Sequence, residues 1–129
     1  DQSVIESGKL KTLFDLKLVS KNQHPFSKGW LVNKSEILKN VTLQKVKGIS
    51  VNEITTSKQK INFYKAAFNP VIESMEGAAL HYVCLMEKIP FLQIRSVSNY
   101  IAERNKKNWK LKESITNLNK ELISLFENL

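Results

Sequence analysis

Several things are scarce in this sequence, and each absence closes off a class of protein. Cysteine occurs once in 129 residues, at Cys84, so neither an intrachain disulfide framework nor a multi-cysteine zinc site is possible within it. A reducing compartment, the cytoplasm, is the default location. Four Gly and three Pro are too few for a collagen-like or low-complexity chain. No run approaches the roughly 20 apolar residues that a membrane helix needs, so no membrane partner is expected. Acidic residues are outnumbered: 20 Lys and Arg against 12 Asp and Glu give a net charge of +8. The chain opens on Asp1 rather than Met, so the lack of a leader carries no information.

What is present describes a packed domain. A 42% hydrophobic share with 25% charged residues is ordinary for a globular protein, and 129 residues suit one core better than two. Period-2 alternation over 10–18 predicts a strand, and 22–28 has the Asn, Pro and Ser of a loop. Asn33 followed by Glu36 looks like a capping pair ahead of a short helix near 35–40. The β-branched stretch 41–52 predicts a strand with a bulge at Gly48, 53–60 a loop, and 61–67 a helix stopped by Pro70. Val71 and Ile72 open a short strand. The segment 78–86, apolar nearly all round, predicts a buried helix, and 90–97 a further strand. Leu111, Ile115, Leu118, Leu122, Leu125 and Leu129 form one stripe of a C-terminal amphipathic helix. Strands alternating with helices imply an α/β fold with a largely parallel sheet.

Ligands of open α/β sheets bind beyond the carboxyl ends of the strands, which directs attention to the polar clusters 52–56, 73–77 and 95–99. In the second, Glu76 sits between a strand and a helix whose first residues, Gly77, Ala78 and Ala79, are small enough for close approach. A carboxylate there is favoured by the helix dipole and can accept from two adjacent hydroxyls, as of a sugar diol. The local pattern leaves two readings of Glu76 open, a ligand for such a diol or a plain capping carboxylate.

The block ESMEGAA at 73–79, followed by IPFLQIRSVSNY at 89–100 and by Arg104, Asn105 and Trp109, resembles the C-terminal half of the purine nucleoside phosphorylase and nucleosidase superfamily. Within that superfamily it is most similar to the futalosine hydrolases of menaquinone synthesis. The methylthioadenosine/S-adenosylhomocysteine nucleosidases, with MEG or MEA and RxxSD motifs, are close relatives. The likeness is strong over 46–129 and looser over 14–33. It implies a three-layer αβα phosphorylase/hydrolase-like fold with a mixed, largely parallel sheet. It also implies that 1–129 is a single domain lacking its N-terminal part, where the family keeps its water-activating acidic residue.

The resemblance further implies cleavage of the N-ribosidic bond of a purine nucleoside by an oligomeric enzyme without cofactor or metal. Met75 would pack under the ribose and Glu76 would accept from its hydroxyls, next to developing oxocarbenium charge. Arg95 and Asn99 would be the residues for catalysis, Arg95 on the nucleophile side and Asn99 at the base. The base loop would offer Ile54, Thr55 or Thr56, with no aromatic for stacking. Adenine-cleaving relatives have Asp at the Asn99 position. An Asn amide can donate to the N7 and O6 acceptors of a 6-oxopurine, which favours a hypoxanthine-type base, but it has no proton to give as an acid.

Other residues invite plainer readings. Tyr100 and Trp109 are expected to be packing residues, as is Cys84, while His24 in a loop and His81 in a helix do not form a metal pair. The basic segment 104–112 could contact phosphates around Trp109, yet no nucleic-acid-binding motif accompanies it, so a solvated loop is expected and no nucleic acid partner. Two functional classes result. One is a nucleoside hydrolase acting on futalosine, with a methylthioadenosine/S-adenosylhomocysteine-type nucleosidase or a purine nucleoside phosphorylase as alternatives. The other is an inactive fragment or interaction module.

Overall fold

Two parallel strands joined by a helix make the centre of the molecule. The computed structural model describes residues 3–6 and 9–127. Strands β1 (Ser3–Glu6) and β2 (Lys9–Thr12) form an antiparallel hairpin, Ser3 facing Thr12. Strands β3 (Gly48–Ser50) and β4 (Ile72–Ser74) run parallel, with Gly48 opposite Ile72, Ile49 opposite Glu73 and Ser50 opposite Ser74. A parallel pair needs a crossover, and helix α1 (Lys58–Phe68) supplies it. It stops where Asn69 turns left-handed (φ 46°, ψ 54°) and its N–H closes on Lys65 O and Tyr64 O, with Pro70 next. Ile49, Val51 and Tyr64 are the buried apolar core, with Phe63 and Phe68 packed against them. Parallel strands, crossover helix and the further helices α2 (Gly77–Met86) and α3 (Leu111–Glu127) constitute an α/β fold.

Where elements are shorter than their sequence pattern predicts, local hydrogen bonds explain it. The 10–18 alternation yields strand only to Thr12. Thr12 N and Thr12 Oγ1 both donate to Asp15 Oδ2 at 2.9 Å, and Asp15 N donates to Thr12 Oγ1 at 3.2 Å. This reciprocal box turns the backbone, and Leu16 N then closes on Thr12 O at 3.1 Å. Over 41–52 the ladder is confined to β3 and its flanks, Val71 N bonding Lys47 O and Val51 N bonding Ser74 O, both at 2.9 Å. Residues 41–46 find no partner in β4, because the chain before it is still leaving α1.

The expected strand 90–97 does not form. Asn33 Nδ2 donates to Phe91 O at 2.7 Å and Phe91 N donates to Ser35 Oγ at 3.2 Å, so side chains occupy the backbone groups that a ladder would use. The same clip redirects Asn33 from capping: its Oδ1 accepts from Ser35 N, and a single 3-10 turn, Glu36–Lys39, begins after Ser35 with Glu36 paired to Lys39.

Helix α2 forms as predicted but is not buried. Leu80, Tyr82, Val83 and Met86 are exposed, because the helix packs on the short strand β3 and otherwise meets only loop residues among those described, with ring contacts from His81 to Phe91 and Tyr82 to Phe26. In α3, Leu118, Leu122 and Leu125 are half-buried and Leu111 and Ile115 exposed; Leu129 lies outside the described residues.

Candidate functional site

The carboxyl ends of β3 and β4 converge on the first turn of α2. Ser50, the last residue of β3, accepts from Ala78 N at 2.7 Å through its hydroxyl, and Ser74, the last of β4, accepts from Gly77 N at 3.3 Å. Two of the helix's open N–H groups are thereby satisfied by serines. Glu76, at the N-cap position, makes no side-chain cap bond, so the capping reading of its carboxylate is not what the structure shows. Glu76 is exposed and Met75 stands 47% exposed beside it. Strand end, hydroxyl caps and free carboxylate follow from the register that sets Ser50 beside Ser74.

The loop 52–56 is drawn to the same end of the sheet. Thr55 N donates to Glu73 Oε1 at 3.0 Å, and Ala102 N donates to Thr55 O at 3.1 Å, which ties the first cluster to the second and to the loop that carries Asn99. Thr55 is 1% exposed and its hydroxyl has no partner. Glu53 is paired with Lys60 of α1, whose hydrogen bond and charge hold its carboxyl below the usual range. Ile54 is exposed at 49% and Thr56 half-buried, both without a base-stacking ring in the loop.

The third cluster meets α2 through Gly77. A Cβ on Gly77 would lie 2.6 Å from Ser74 Oγ, 3.1 Å from Gln93 Oε1 and 3.3 Å from Arg95 Nη2, so only glycine lets these groups crowd the helix start. Gln93 Nε2 donates to Gly77 O at 3.3 Å, and Gln93 Oε1 accepts from Arg95 Nε at 3.0 Å. His81 Nδ1 lies 3.1 Å from the same Gly77 O. Burial pushes the His81 imidazole below its ordinary pKa; the Gly77 bond opposes that shift and the Arg95 charge adds to it. Asn99 bonds its sequence neighbours: Oδ1 accepts from Ser98 Oγ at 2.7 Å and Nδ2 donates to Tyr100 O at 3.1 Å.

Most of the residues picked from sequence thus share one end of the molecule: Thr55 with Glu73, and Arg95 with the helix start after Glu76. Asn99 is joined to them through its loop, by way of Ala102, and not by a side-chain bond. Trp109 packs half-buried with Nε1 on Glu103 O at 3.0 Å, whereas Tyr100 is 87% exposed and does not pack. Cys84 is half-buried on α2, and His24 is exposed in its loop. Glu73 and Ser74 fall within the polar cluster 73–77 and Gln93 within the 89–100 motif, but the sequence assigns no role to them or to Ser50. For Ser74 the signal was local, a hydroxyl three residues before a glycine that opens a helix; for Ser50 only strand register could supply it.

Among the described residues no group of three His, Cys, Asp or Glu is placed to hold a metal ion, and no helix is long and apolar enough to cross a membrane. No curated protein and no solved structure matches the chain. A family model does: the one described as the Phosphorylase superfamily matches residues 32–127. That span contains β3, β4, α1, α2 and every residue of the site above, and the chain therefore belongs to the phosphorylase superfamily of nucleoside phosphorylases and nucleosidases.

Proposed function

We propose that this chain supplies the ribose and base side of a nucleosidase that hydrolyses the N-ribosidic bond of a purine nucleoside, with futalosine as substrate. The observation that carries the reading is the release of Glu76 from capping. Ser50 and Ser74 take that duty, and the carboxylate beside Met75 is left exposed for a vicinal diol. Holding the 2′ and 3′ hydroxyls next to C1′ favours the transition state as positive charge develops there.

In the reaction, the C1′–N9 bond breaks with its electron pair leaving on the purine, and a water oxygen bonds to C1′. The balancing proton reaches the base from solvent, since Asn99 can donate a hydrogen bond but not a proton. The Ser98 hydroxyl on Oδ1 and the Tyr100 carbonyl on Nδ2 orient the Asn99 amide. One N–H remains for N7 or O6 of a 6-oxopurine. The carboxylate that activates water belongs, in this reading, to residues outside these 129, which would complete the domain.

The test is release of hypoxanthine from futalosine and from inosine by the native polypeptide, with and without phosphate. Turnover independent of phosphate and lost in Glu76→Gln supports the hydrolase. A phosphate requirement moves the reading to a phosphorylase, and no turnover on any purine nucleoside sinks it.

A further inference from the structure

The guanidinium of Arg95 lies against the first residue of α2, within 3.3 Å of where a Gly77 Cβ would be. That end of a helix carries positive partial charge, which repels a cation. Something must hold it, and among the described residues the hydrogen bond that fixes its place is the one from Arg95 Nε to Gln93 Oε1. Gln93 is itself anchored, its Nε2 on Gly77 O. The amide cannot turn over, because the flipped form would set its oxygen against the Gly77 carbonyl and its NH2 against the guanidinium. Among the described residues no ion pair joins Arg95 to Glu76, the acidic N-cap residue next to Gly77.

We propose that Gln93 is a positioning residue that straps Arg95 to the start of α2 and withholds it from Glu76. The strap serves two ends. It keeps the Glu76 carboxylate open to sugar hydroxyls, and it holds the Arg95 charge in one orientation beside them. The catalytic side of this inference rests on the nucleosidase reading; the strap itself does not.

The experiment uses the native polypeptide and three variants. Gln93→Met keeps the side-chain length and removes both polar groups, Gln93→Glu keeps an acceptor for Arg95, and Gln93→Asn keeps both groups but is too short to span them. The first readout is the solvent exchange of the Arg95 Nε–H, followed by nitrogen-15 NMR. Protection is expected in the wild type and in Gln93→Glu, and its loss in Gln93→Met and Gln93→Asn. The second is the division between kcat and KM for nucleoside cleavage. Freeing Arg95 to pair with Glu76 is expected to lower kcat about tenfold and to raise KM, as misplacement of an orienting group does. Gln93→Glu should recover most of both, at a lower thermal midpoint, because its second carboxylate oxygen faces the Gly77 carbonyl where the amide donated. Unaltered Nε–H protection in Gln93→Met and Gln93→Asn overturns the strap. A wild type that cleaves no nucleoside overturns the nucleosidase reading alone, and the exchange measurement still decides Gln93.

Discussion

The buried N–H of Thr55 ends on a side chain from the neighbouring strand, Glu73 Oε1, at 3.0 Å, and this one bond sets how the 52–56 loop leaves the sheet. Thr55 is 1% exposed, so no water can replace the acceptor without the loop opening. Glu73→Ala is expected to destabilise the protein by about 1–3 kcal/mol, the cost of orphaning a buried donor. Glu73→Gln, which retains a carbonyl acceptor, should lose less than half of that. Urea unfolding of the two variants measures the difference, and equal losses would show that the charge and not the acceptor matters.

Gly77 is surrounded by the groups that make the site. Gly77→Ala puts a Cβ at 2.6 Å from Ser74 Oγ, which is a rotatable hydroxyl and can swing away, but only by giving up its bond to the residue 77 N–H. Losing such a cap costs about 1 kcal/mol. The Gln93 and Arg95 contacts at 3.1 and 3.3 Å must yield as well, so activity should fall by more than stability does. The double variant Ser74→Ala with Gly77→Ala tests the clash. Its stability should equal or exceed that of Gly77→Ala alone, since the cap is already lost and the obstruction removed.

Burial depresses the His81 pKa below its ordinary value of 6.5, and that gives stability a pH dependence of fixed sign. Between the folded and unfolded values the unfolded chain binds the extra proton, so stability rises with pH in that window. It should be fully present above about pH 7, decline as pH falls through the usual histidine range near 6.5, and level off once the folded form also protonates. Replacing the ring by His81→Phe should flatten the unfolding free energy between pH 7 and 5, as followed by denaturant titration. Asp15, whose carboxyl is held low by its Thr12 bonds, acts in a separate window below its ordinary 3.8 and does not overlap.

Some of this molecule could be read from the chain and some could not, for reasons that are local. The helix ending at Asn69 and Pro70 was legible, because its stop signals are adjacent residues. So was the C-terminal helix, whose stripe repeats over four turns. The strand expected over 10–18 failed at Thr12, where a Thr and an Asp three apart favour their own backbone over a ladder. The strand expected over 90–97 failed because its acceptor and donor at Phe91 are met by Asn33 and Ser35, 58 and 56 residues earlier. Glu76 and Met75 were visible as a motif. That Glu76 does not cap the helix was not, since one of the caps is Ser50, brought within reach of Ala78 only by parallel pairing.

Asn99 offers the sharpest test of what base the site takes. Its Nδ2 donates to Tyr100 O at 3.1 Å and its Oδ1 accepts from Ser98 Oγ at 2.7 Å. In Asn99→Asp the first of these becomes an oxygen facing a carbonyl oxygen, which disfavours the ionised carboxylate and favours a protonated one. The carboxyl's single proton bonds the Tyr100 carbonyl in the free protein and can be given up to N7 when a purine is bound, so an acid proton becomes available to the leaving base at the cost of that bond. A 6-aminopurine also presents an amine that the remaining oxygen can accept, whereas the O6 of a 6-oxopurine meets an acceptor. The substitution is therefore expected to shift the ratio of kcat/KM for adenosine-type over inosine-type nucleosides upward by about tenfold or more, since unpaired polar groups against a base discriminate strongly. Adenine and hypoxanthine released from an equimolar mixture measure that ratio directly. The gain should be larger at pH 6 than at pH 8, because only the protonated carboxyl can act as donor. An unchanged ratio would mean that the base is not read at this position.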